Sequence, residues 1–310
     1  MTRTLPSLVV ILGPTAVGKT EISIQVAEKV DAEIISIDSR LIYRGMDIGT
    51  AKPTQEQRKR VPHHLIDVAD PQEPWSLAVF QRAALDAINV VIKRERLPIL
   101  VGGTGQYLTA IVEGWSPPPK AESDELRDGL IAFAETEGSE ALHQRLAEID
   151  PVSAARIDHR NIRRVARALE IFQVSGIPAS EIRGKKPPPF RVLRVGLTLP
   201  RDELYNKIDA RIDVMIAAGL VEEVKSLMAR GLSAQDPAMS AIGYRQIIDH
   251  VTGKFSLEEA VRRIRRATRQ FVRQQSNWFR ADDPGIHWFE VGPNTVISVV
   301  KWIEGWRRGR

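Results

Sequence analysis

The amino-acid sequence predicts an α/β protein: a P-loop-type parallel sheet core flanked by helices, with a helical insertion domain. Three observations support this fold class. A glycine-rich loop joins a buried strand to a helix, short apolar segments alternate with helical ones, and two proline-rich segments enclose a polar helical stretch. Alternation of strands with helices is typical of parallel, doubly wound sheets.

Four apolar segments are the predicted strands of this sheet, and they cover residues 7–12, 33–38, 97–103 and 191–199. Residues 21–30 follow the glycine-rich loop as a helix, and residues 75–96 have helical periodicity. Ser76 is a candidate N-cap of the second helix. Strands and helices therefore alternate in the first third of the chain, as a parallel sheet requires.

Two proline-rich breaks, WSPPPK at 115–120 and GKKPPPF at 184–190, separate a charged, helical stretch from the rest of the chain. Such breaks are typical of domain boundaries. We expect a catalytic core formed by residues 1–117 and 191–310, and an insertion domain at 118–190. Residues 201–280 are predicted to be mainly helical.

Composition and charge limit the possible functions. The 310 residues include no cysteine, which excludes disulfides and thiolate zinc sites. The longest early apolar run, 8–12, is too short for a signal peptide or a membrane span, so we expect a cytoplasmic protein that binds no membrane. The net charge of +5 favours a polyanionic partner. His63 and His64 have no further ligands at metal-binding spacing and are interpreted as loop residues with structural hydrogen bonds.

Residues 13–20, GPTAVGKT, match the phosphate-binding pattern GxxxxGK[ST]. Backbone N–H groups and the N-terminus of the following helix bind phosphate oxygens in such loops. Lys19 adds a positive charge, and Thr20 offers a hydroxyl to Mg²⁺. The pattern indicates a di- or triphosphate without specifying a nucleoside. The candidate diphosphate-binding residues are Gly13, Pro14, Thr15, Ala16, Val17, Gly18, Lys19 and Thr20.

An ATPase usually has an acid at the end of a buried strand that orients Mg²⁺. The strand at 97–103 ends without a carboxylate, whereas the strand at 33–38 ends in Asp38. An acid at the carboxyl end of such a strand lies beside the ligand crevice. Asp38 is therefore expected near the phosphates; the alternative is that it caps a local turn with Ser39.

Eight segments of the chain, in order, resemble the tRNA dimethylallyltransferases, also called tRNA isopentenyltransferases. They span nearly the whole sequence, which makes the resemblance far more specific than the phosphate loop alone. The segments are GPTAVGKT (13–20), IISIDSRLIYRGMDIGTAKP (34–53), PHHLID (62–67), LVGGTGQYL (100–108), NIRRVARALEIF (161–172), ARIDVMIAAGLVEEV (210–224), AIGYRQ (241–246) and TRQFVRQQSNWFR (268–280).

The resemblance implies a reaction and its partners. A dimethylallyl group passes from dimethylallyl diphosphate to the exocyclic N6 of adenosine 37, beside the anticodon of tRNA, with Mg²⁺ as cofactor. The implied partners are the anticodon stem-loop and dimethylallyl diphosphate. We expect a monomer, and no zinc because the chain has no cysteine. The loop at 13–20 then holds the diphosphate that leaves.

The resemblance also implies roles for three catalytic residues. Asp38 is the candidate general base that accepts the N6 proton. Thr104 donates a hydrogen bond to the departing diphosphate, and Arg211 is a further diphosphate ligand. Thr104 has a simpler alternative in local turn chemistry, and Arg211 in a helix-surface ion pair with Asp213 or Glu203.

The segment from residue 262 to residue 280 contains seven arginines. On a helix, Arg262, Arg266, Arg269, Arg273 and Arg280 fall on one face, opposite Ile264, Ala267, Phe271 and Trp278. No acidic residue occurs between 262 and 280, so pairs four residues apart are not expected to balance this face. We therefore expect it to bind RNA phosphates, the alternative being a solvated helix surface.

The resemblance assigns further RNA contacts to the segment after the second strand, to the turn after the third and to the insertion domain. Leu41 and the run FVRQQ (271–275) depart from the residues common in the family, which leaves individual RNA contacts open. The candidate tRNA-binding residues are Ser39, Arg40, Leu41, Gln106, Arg163, Arg164, Val165, Ala166, Arg167, Arg269, Arg273 and Arg280.

The residues leave three other functions open. An ATP-dependent small-molecule kinase shares the loop and the sheet, and a related prenyltransferase acts on free adenine nucleotides. The insertion and the basic helix argue against both. A non-catalytic RNA-binding module is the third alternative, and Asp38 beside an intact phosphate loop argues against it.

Overall fold

The computed structural model describes residues 5–115, 125–182, 186 and 190–309. The chain divides into two compact units, one formed by Met1–Val112 with Pro188–Arg310 and the other by Glu113–Pro187. Most of both proline-rich breaks, including the expected boundary at 117–118, lies outside the described residues.

The larger unit is built on a parallel sheet, which confirms the predicted fold class. Within the described residues the sheet has six strands in the order β3-β2-β4-β1-β5-β6. Leu12 lies opposite Gly102 and Gly196 in the two neighbouring strands, so the loops that follow these strands meet at one edge. The strands are β1 (Ser7–Leu12), β2 (Ala32–Ser36), β3 (His63–His64), β4 (Leu97–Gly102), β5 (Arg191–Thr198) and β6 (Ile286–Glu290).

The central strand β1 follows directly from its sequence. Its residues from Leu8 to Leu12 are fully buried, because a parallel sheet covered on both faces requires continuous apolar runs. The four predicted strands are present, although β2 ends at Ser36, two residues before Asp38. Strands β3 and β6 were not predicted, since β3 has two residues and β6 is an edge strand with exposed polar positions.

Helices cover the sheet and form the rest of both units. Ser76 caps α3 as predicted, accepting a hydrogen bond from the Val79 N–H at 3.3 Å. No helix in the described ranges is long and apolar enough to cross a membrane. The helices are α1 (Lys19–Val30), α2 (Gln55–Arg60), α3 (Leu77–Lys93), α4 (Gly105–Val112), α5 (Glu125–Glu137), α6 (Ser139–Ile149), α7 (Pro151–Ala154), α8 (Ile162–Ser175), α9 (Arg201–Ala217), α10 (Leu220–Ala229), α11 (Tyr244–Val251), α12 (Leu257–Ser276) and α13 (Thr295–Arg307).

The smaller unit contains α5 to α8 and has its own apolar core, which includes Leu142, Leu146 and Leu169. The carboxylate of Glu170 is buried inside it. Arg127 and Arg167 both contact this carboxylate at 2.7 Å, which supplies the pairing that a buried charge requires.

Candidate active site

A cleft of about 330 Å³ lies among the loops that follow β1, β2 and β4, and helices α9 and α12 form its other walls. Its polar side contains the predicted residues Lys19, Asp38, Thr104 and Arg211, which are far apart in the sequence. Its apolar side is formed by Ile208, Ile212, Met215, Leu220, Ile264 and Phe271. The cleft therefore combines a site for a polyanion with a site for a small apolar group.

The phosphate loop has the backbone conformation that its glycines allow. Gly13 and Gly18 have φ values of 152° and 103°, and a Cβ at Gly13 would lie 2.5 Å from the Leu197 carbonyl oxygen. Only glycine tolerates this combination of backbone angle and crowding. The Lys19 ammonium donates to the carbonyl oxygens of Gly13 and Pro14 at 3.0 and 2.7 Å, which holds it against the loop.

Two cations and one carboxylate determine the electrostatics of the cleft. Burial of the Lys19 ammonium and repulsion by the Arg211 guanidinium lower the pKa of Lys19 to about 8, against the opposing attraction of Asp38. Burial likewise lowers the pKa of Arg211, and Asp38 again opposes the shift. Both cations are thus short of counter-charge, which favours the binding of an anion between them.

Asp38 takes part in a local turn, with Arg40 rather than with Ser39, and it also lies at the cleft. Its Oδ1 accepts a hydrogen bond from the Arg40 N–H at 2.8 Å, which closes a local turn, and the residue also lines the cleft. Thr104 lies two residues beyond β4, where its carbonyl oxygen accepts from the Tyr107 and Leu108 N–H groups. Arg211 does not pair with Asp213, which binds Arg265 instead; it reaches toward the Thr50 carbonyl oxygen at 3.5 Å.

Glu223 supports the segment that contains Thr50, a role that was not predicted. Its carboxylate accepts from the N–H groups of Asp47, Ile48 and Gly49 at 2.9, 2.8 and 3.2 Å. It also accepts from the Tyr244 hydroxyl at 2.5 Å, and burial together with this carboxylate raises the pKa of Tyr244. The three backbone N–H groups lie 174 to 176 positions from Glu223, so no local pattern predicts these bonds.

Gln275 is a second residue that the sequence analysis did not identify. It is 5% exposed and lines the cleft between the phosphate loop and the turn after β4. One signal was available, since Gln275 follows the buried Ile264 by eleven residues, about three helical turns, and so lies on the same helix face.

The arginines of α12 are largely paired, contrary to expectation. Arg265 and Arg269 bind Asp213 and Asp209 of α9, both at 2.5 Å. The prediction that this face lacks acidic partners was therefore wrong, because the partners lie outside residues 262–280, on α9 and in the first turn of α12. Glu259, just before the arginine-rich stretch, binds two more arginines of this helix, Arg262 and Arg263.

Two arginines on α12 remain available to an external anion. Arg266 and Arg273 are exposed, and neither has an ion-pair partner within the described part of the chain. Both line a groove of about 820 Å³ beside α9. Arg280 was predicted on the same face, but α12 ends at Ser276, and Arg280 pairs with Asp282 at 2.7 Å. We call Arg262, Arg266, Arg269 and Arg273 the arginine face.

The candidate RNA residues of the smaller unit fall into two groups. Val165 and Ala166 are fully buried in its core, so their side chains are unavailable to RNA, and Arg167 is engaged by Glu170. Arg163 and Arg164 are exposed. The arginines at 163 and 164 are therefore the members of this segment whose side chains face solvent.

The remaining candidates near the cleft differ in position. Ser39 and Arg40 line it, and the Arg40 guanidinium donates to the Pro237 carbonyl oxygen at 2.7 Å and to the Ser240 hydroxyl at 3.0 Å. Leu41, Gln106 and Thr20 are not among the lining residues; Thr20 follows Lys19 in the first turn of α1.

The two histidines form strand β3 itself rather than a loop. His63 Nδ1 lies 2.7 Å from the Val61 carbonyl oxygen, and His64 Nε2 lies 2.6 Å from the Glu33 carboxylate. The described residues contain no cluster of three or more His, Cys, Asp or Glu side chains suited to a metal ion. The structural interpretation of this pair is thus consistent with its contacts.

Comparison with known proteins gives a consistent result. A family model described as IPP transferase matches residues 41–282, and one described as isopentenyl transferase matches residues 6–67. The tRNA dimethylallyltransferase of Thermomicrobium roseum is 51% identical over 284 residues, which cover 92% of this chain and 86% of the relative.

Two solved structures extend the similarity to the fold. The full-length tRNA isopentenylpyrophosphate transferase of Bacillus halodurans is 40% identical with a TM-score of 0.73, over 96% of each chain. A eukaryotic dimethylallyltransferase acting on tRNA is 25% identical with a TM-score of 0.83, over 98% of this chain and 80% of that one.

Proposed function

This chain belongs to the IPP transferase family and is a tRNA dimethylallyltransferase that prenylates adenosine 37 of tRNA, and we propose that the reaction takes place in the cleft above the phosphate loop. The observation that carries this proposal is the convergence of Lys19, Asp38, Thr104 and Arg211 on one cleft. The apolar residues of α9 and α12 that line the same cleft support an isoprenoid diphosphate rather than a nucleotide as the small substrate.

The diphosphate of dimethylallyl diphosphate binds to the phosphate loop, between Lys19 and Arg211. The N-terminus of α1 and those backbone N–H groups of the loop that have no partner in the protein bind its oxygens, whereas the Thr15 N–H donates to Gln275. Both cations have lowered pKa values in the free protein, and a bound anion restores the counter-charge that they lack. The dimethylallyl group then extends toward the apolar wall of α9 and α12.

Transfer breaks the bond between the allylic carbon and the diphosphate oxygen and forms a bond from that carbon to N6 of the adenine. The released diphosphate carries away the electron pair of the broken bond, which Lys19, Arg211 and the Thr104 hydroxyl stabilise. The N6 amine loses one proton, and the Asp38 carboxylate accepts it. The hydrogen bond that Asp38 accepts from the Arg40 N–H supports this role, because it orients the carboxylate.

Mg²⁺ is part of this proposal as the cofactor of the diphosphate. Its preferred ligands are oxygens, and it usually binds proteins through one or two side chains while phosphates and waters supply the rest. The Thr20 hydroxyl, next to Lys19 in the first turn of α1, is the oxygen donor that we propose for it, and the Thr15 hydroxyl is the other one in the loop. When bound, the ion neutralises charge on the leaving diphosphate.

The tRNA is held by exposed arginines. Arg266 and Arg273 on α12, and Arg163 and Arg164 in the smaller unit, are exposed and provide charge for phosphate contacts. Ser39 and Arg40 lie at the cleft itself, where the target base has to enter. Because adenosine 37 lies in a stacked loop, its base has to turn out of the stack before N6 can reach Asp38. We further propose that the protein acts as a cytoplasmic monomer.

The substitution Asp38→Asn tests the assignment. Asparagine keeps the Oδ1 that accepts from the Arg40 N–H and loses only the basic carboxylate, so prenyl transfer should fall by at least about 10²-fold while tRNA binding is retained. Asp283→Asn is the matched control, because Asp283 accepts from the Gly285 N–H at the same 2.8 Å outside the cleft. The assay measures N6-dimethylallyl adenosine from purified protein, tRNA and dimethylallyl diphosphate; near-normal turnover by Asp38→Asn would remove Asp38 from the base role.

A further inference from the structure

Gln275, in the last turn of α12, connects the two segments that contact the leaving group. Its side-chain Oε1 accepts a hydrogen bond from the Thr15 N–H at 3.0 Å. Its Nε2 donates to the Gly103 carbonyl oxygen, also at 3.0 Å. These partners lie 260 and 172 positions away in the chain, so one side chain fixes the phosphate loop against the turn after β4.

The site accepts a glutamine and little else. A side chain here needs one acceptor and one donor on the same planar end, since Thr15 offers an N–H and Gly103 a carbonyl oxygen. The fit is also steric: a Cβ on Gly103 would collide with the Gln275 amide. Asparagine has the same amide on a chain one methylene shorter and does not span the two partners.

The two partners have different parts in the reaction. Thr15 belongs to the loop that holds the diphosphate, whereas Gly103 directly precedes Thr104, the donor to the oxygen at which the allylic bond breaks. The geometry of bond breaking depends on the position of Thr104 relative to the diphosphate, and small errors in such positions lower rates strongly.

We infer that Gln275 is a positioning residue for the leaving diphosphate, which sets the phosphate loop and Thr104 in register without contacting the substrate itself. The inference rests on the proposed function, because it requires the diphosphate on the phosphate loop. It also gives α12 two separate tasks, since the exposed Arg266 and Arg273 precede Gln275 on the same helix.

The test uses Gln275→Met, which keeps the size of the side chain and loses both hydrogen bonds. Gln274→Met is the matched control, because Gln274 is exposed on the same helix turn. For Gln275→Met we expect kcat to fall by about 10- to 100-fold, with the KM for tRNA unchanged within twofold. Gln274→Met should retain both constants. A wild-type kcat in Gln275→Met, or a loss confined to the KM for tRNA, overturns the inference.

Gln275→Glu supplies a readout that a purely structural role does not explain. A neutral carboxylic acid has one donor and one acceptor, like the amide, whereas the carboxylate loses the donor toward Gly103 and places negative charge beside the diphosphate. Because the position is 5% exposed, burial should raise the pKa of the introduced carboxyl above its ordinary value. The kcat of Gln275→Glu relative to wild type should therefore rise as the pH is lowered from 8, while the Gln275→Met ratio stays constant. If Gln275→Met fails to fold, this series decides alone, and a ratio that does not rise on acidification overturns the inference.

Lys19→Met, measured in parallel, separates this inference from the proposed function. An inactive Lys19→Met with a normal Gln275→Met overturns only the role of Gln275. Normal activity in both variants would instead show that the diphosphate does not bind at the phosphate loop, and would overturn the proposed site as well.

Discussion

The phosphate loop and the arginine face of α12 offer anions two different kinds of surface. In the loop, backbone conformation creates the site, since Gly13 and Gly18 take positive φ values and direct N–H groups toward one point. On α12 the charge lies on flexible side chains, and aspartates of α9 neutralise Arg265 and Arg269 from 52 and 60 positions away. A function built into the backbone is visible in a local motif, whereas the charge that a surface offers depends on distant partners.

Lys19→Met tests the phosphate loop and should have the largest effect. Loss of the ammonium removes stabilisation of charge that develops on the leaving diphosphate, so kcat/KM for dimethylallyl diphosphate should fall by roughly 10²–10³-fold. Lys29→Met, at an exposed position of the same helix, is the control and should be neutral. Retention of activity in Lys19→Met would show that the diphosphate does not bind at the phosphate loop.

The pH dependence of the same constant gives the second test. The pKa of Lys19 is lowered to about 8 in the free protein, so the ammonium is lost as the pH rises above that value. kcat/KM for dimethylallyl diphosphate, which reports the free enzyme, should therefore fall by up to about tenfold per pH unit above pH 8. Lys19→Met should show no such fall, and a fall in both proteins would assign it to another group.

The free energy of unfolding should rise over the same pH range in which kcat/KM falls. The unfolded chain keeps the Lys19 proton up to its ordinary pKa of 10.5, whereas the folded protein loses it near 8. The unfolded state thus binds more protons between these values, and the free energy of unfolding contributed by this group rises with pH there. Lys19→Met should abolish that part of the slope.

The arginine face can be tested through its exposed members. Arg266→Ala with Arg273→Ala should weaken tRNA binding roughly tenfold and reduce the slope of log K against log salt by about 1 for each arginine. The melting temperature should not change, because neither side chain has an ion-pair partner in the described ranges. Arg262→Ala with Arg263→Ala removes two arginines already engaged by Glu259 and should change the slope less. Equal slopes for the two double variants would show that pairing within the protein does not decide which arginines meet RNA.

The same contrast explains what the sequence could predict. The phosphate loop, the Ser76 cap and the position of Asp38 after β2 each follow from a few neighbouring residues, and the structure places them as expected. Gln275 and Glu223 make contacts over 172 positions or more, so their partners are not visible in any window of sequence. Gln274 and Gln275 are adjacent glutamines. Only their positions around the axis of α12 make Gln275 buried and Gln274 exposed.

Asp209→Asn should have the smallest effects. It should lower the free energy of unfolding and raise the affinity for tRNA. Asp209 holds Arg269 at 2.5 Å, and the two side chains are 29% and 38% exposed. Loss of the pair should lower the free energy of unfolding by only about 0.5–1 kcal/mol, as for other partly exposed ion pairs. Released from its partner, Arg269 joins Arg266 and Arg273 on the groove, so tRNA affinity at low salt should rise a few-fold and the salt slope should steepen by about 1. Calorimetry and tRNA titrations at several salt concentrations measure both quantities. Weaker binding in Asp209→Asn would show instead that the pair orients α12 for RNA, and that the charge of Arg269 is used where it stands.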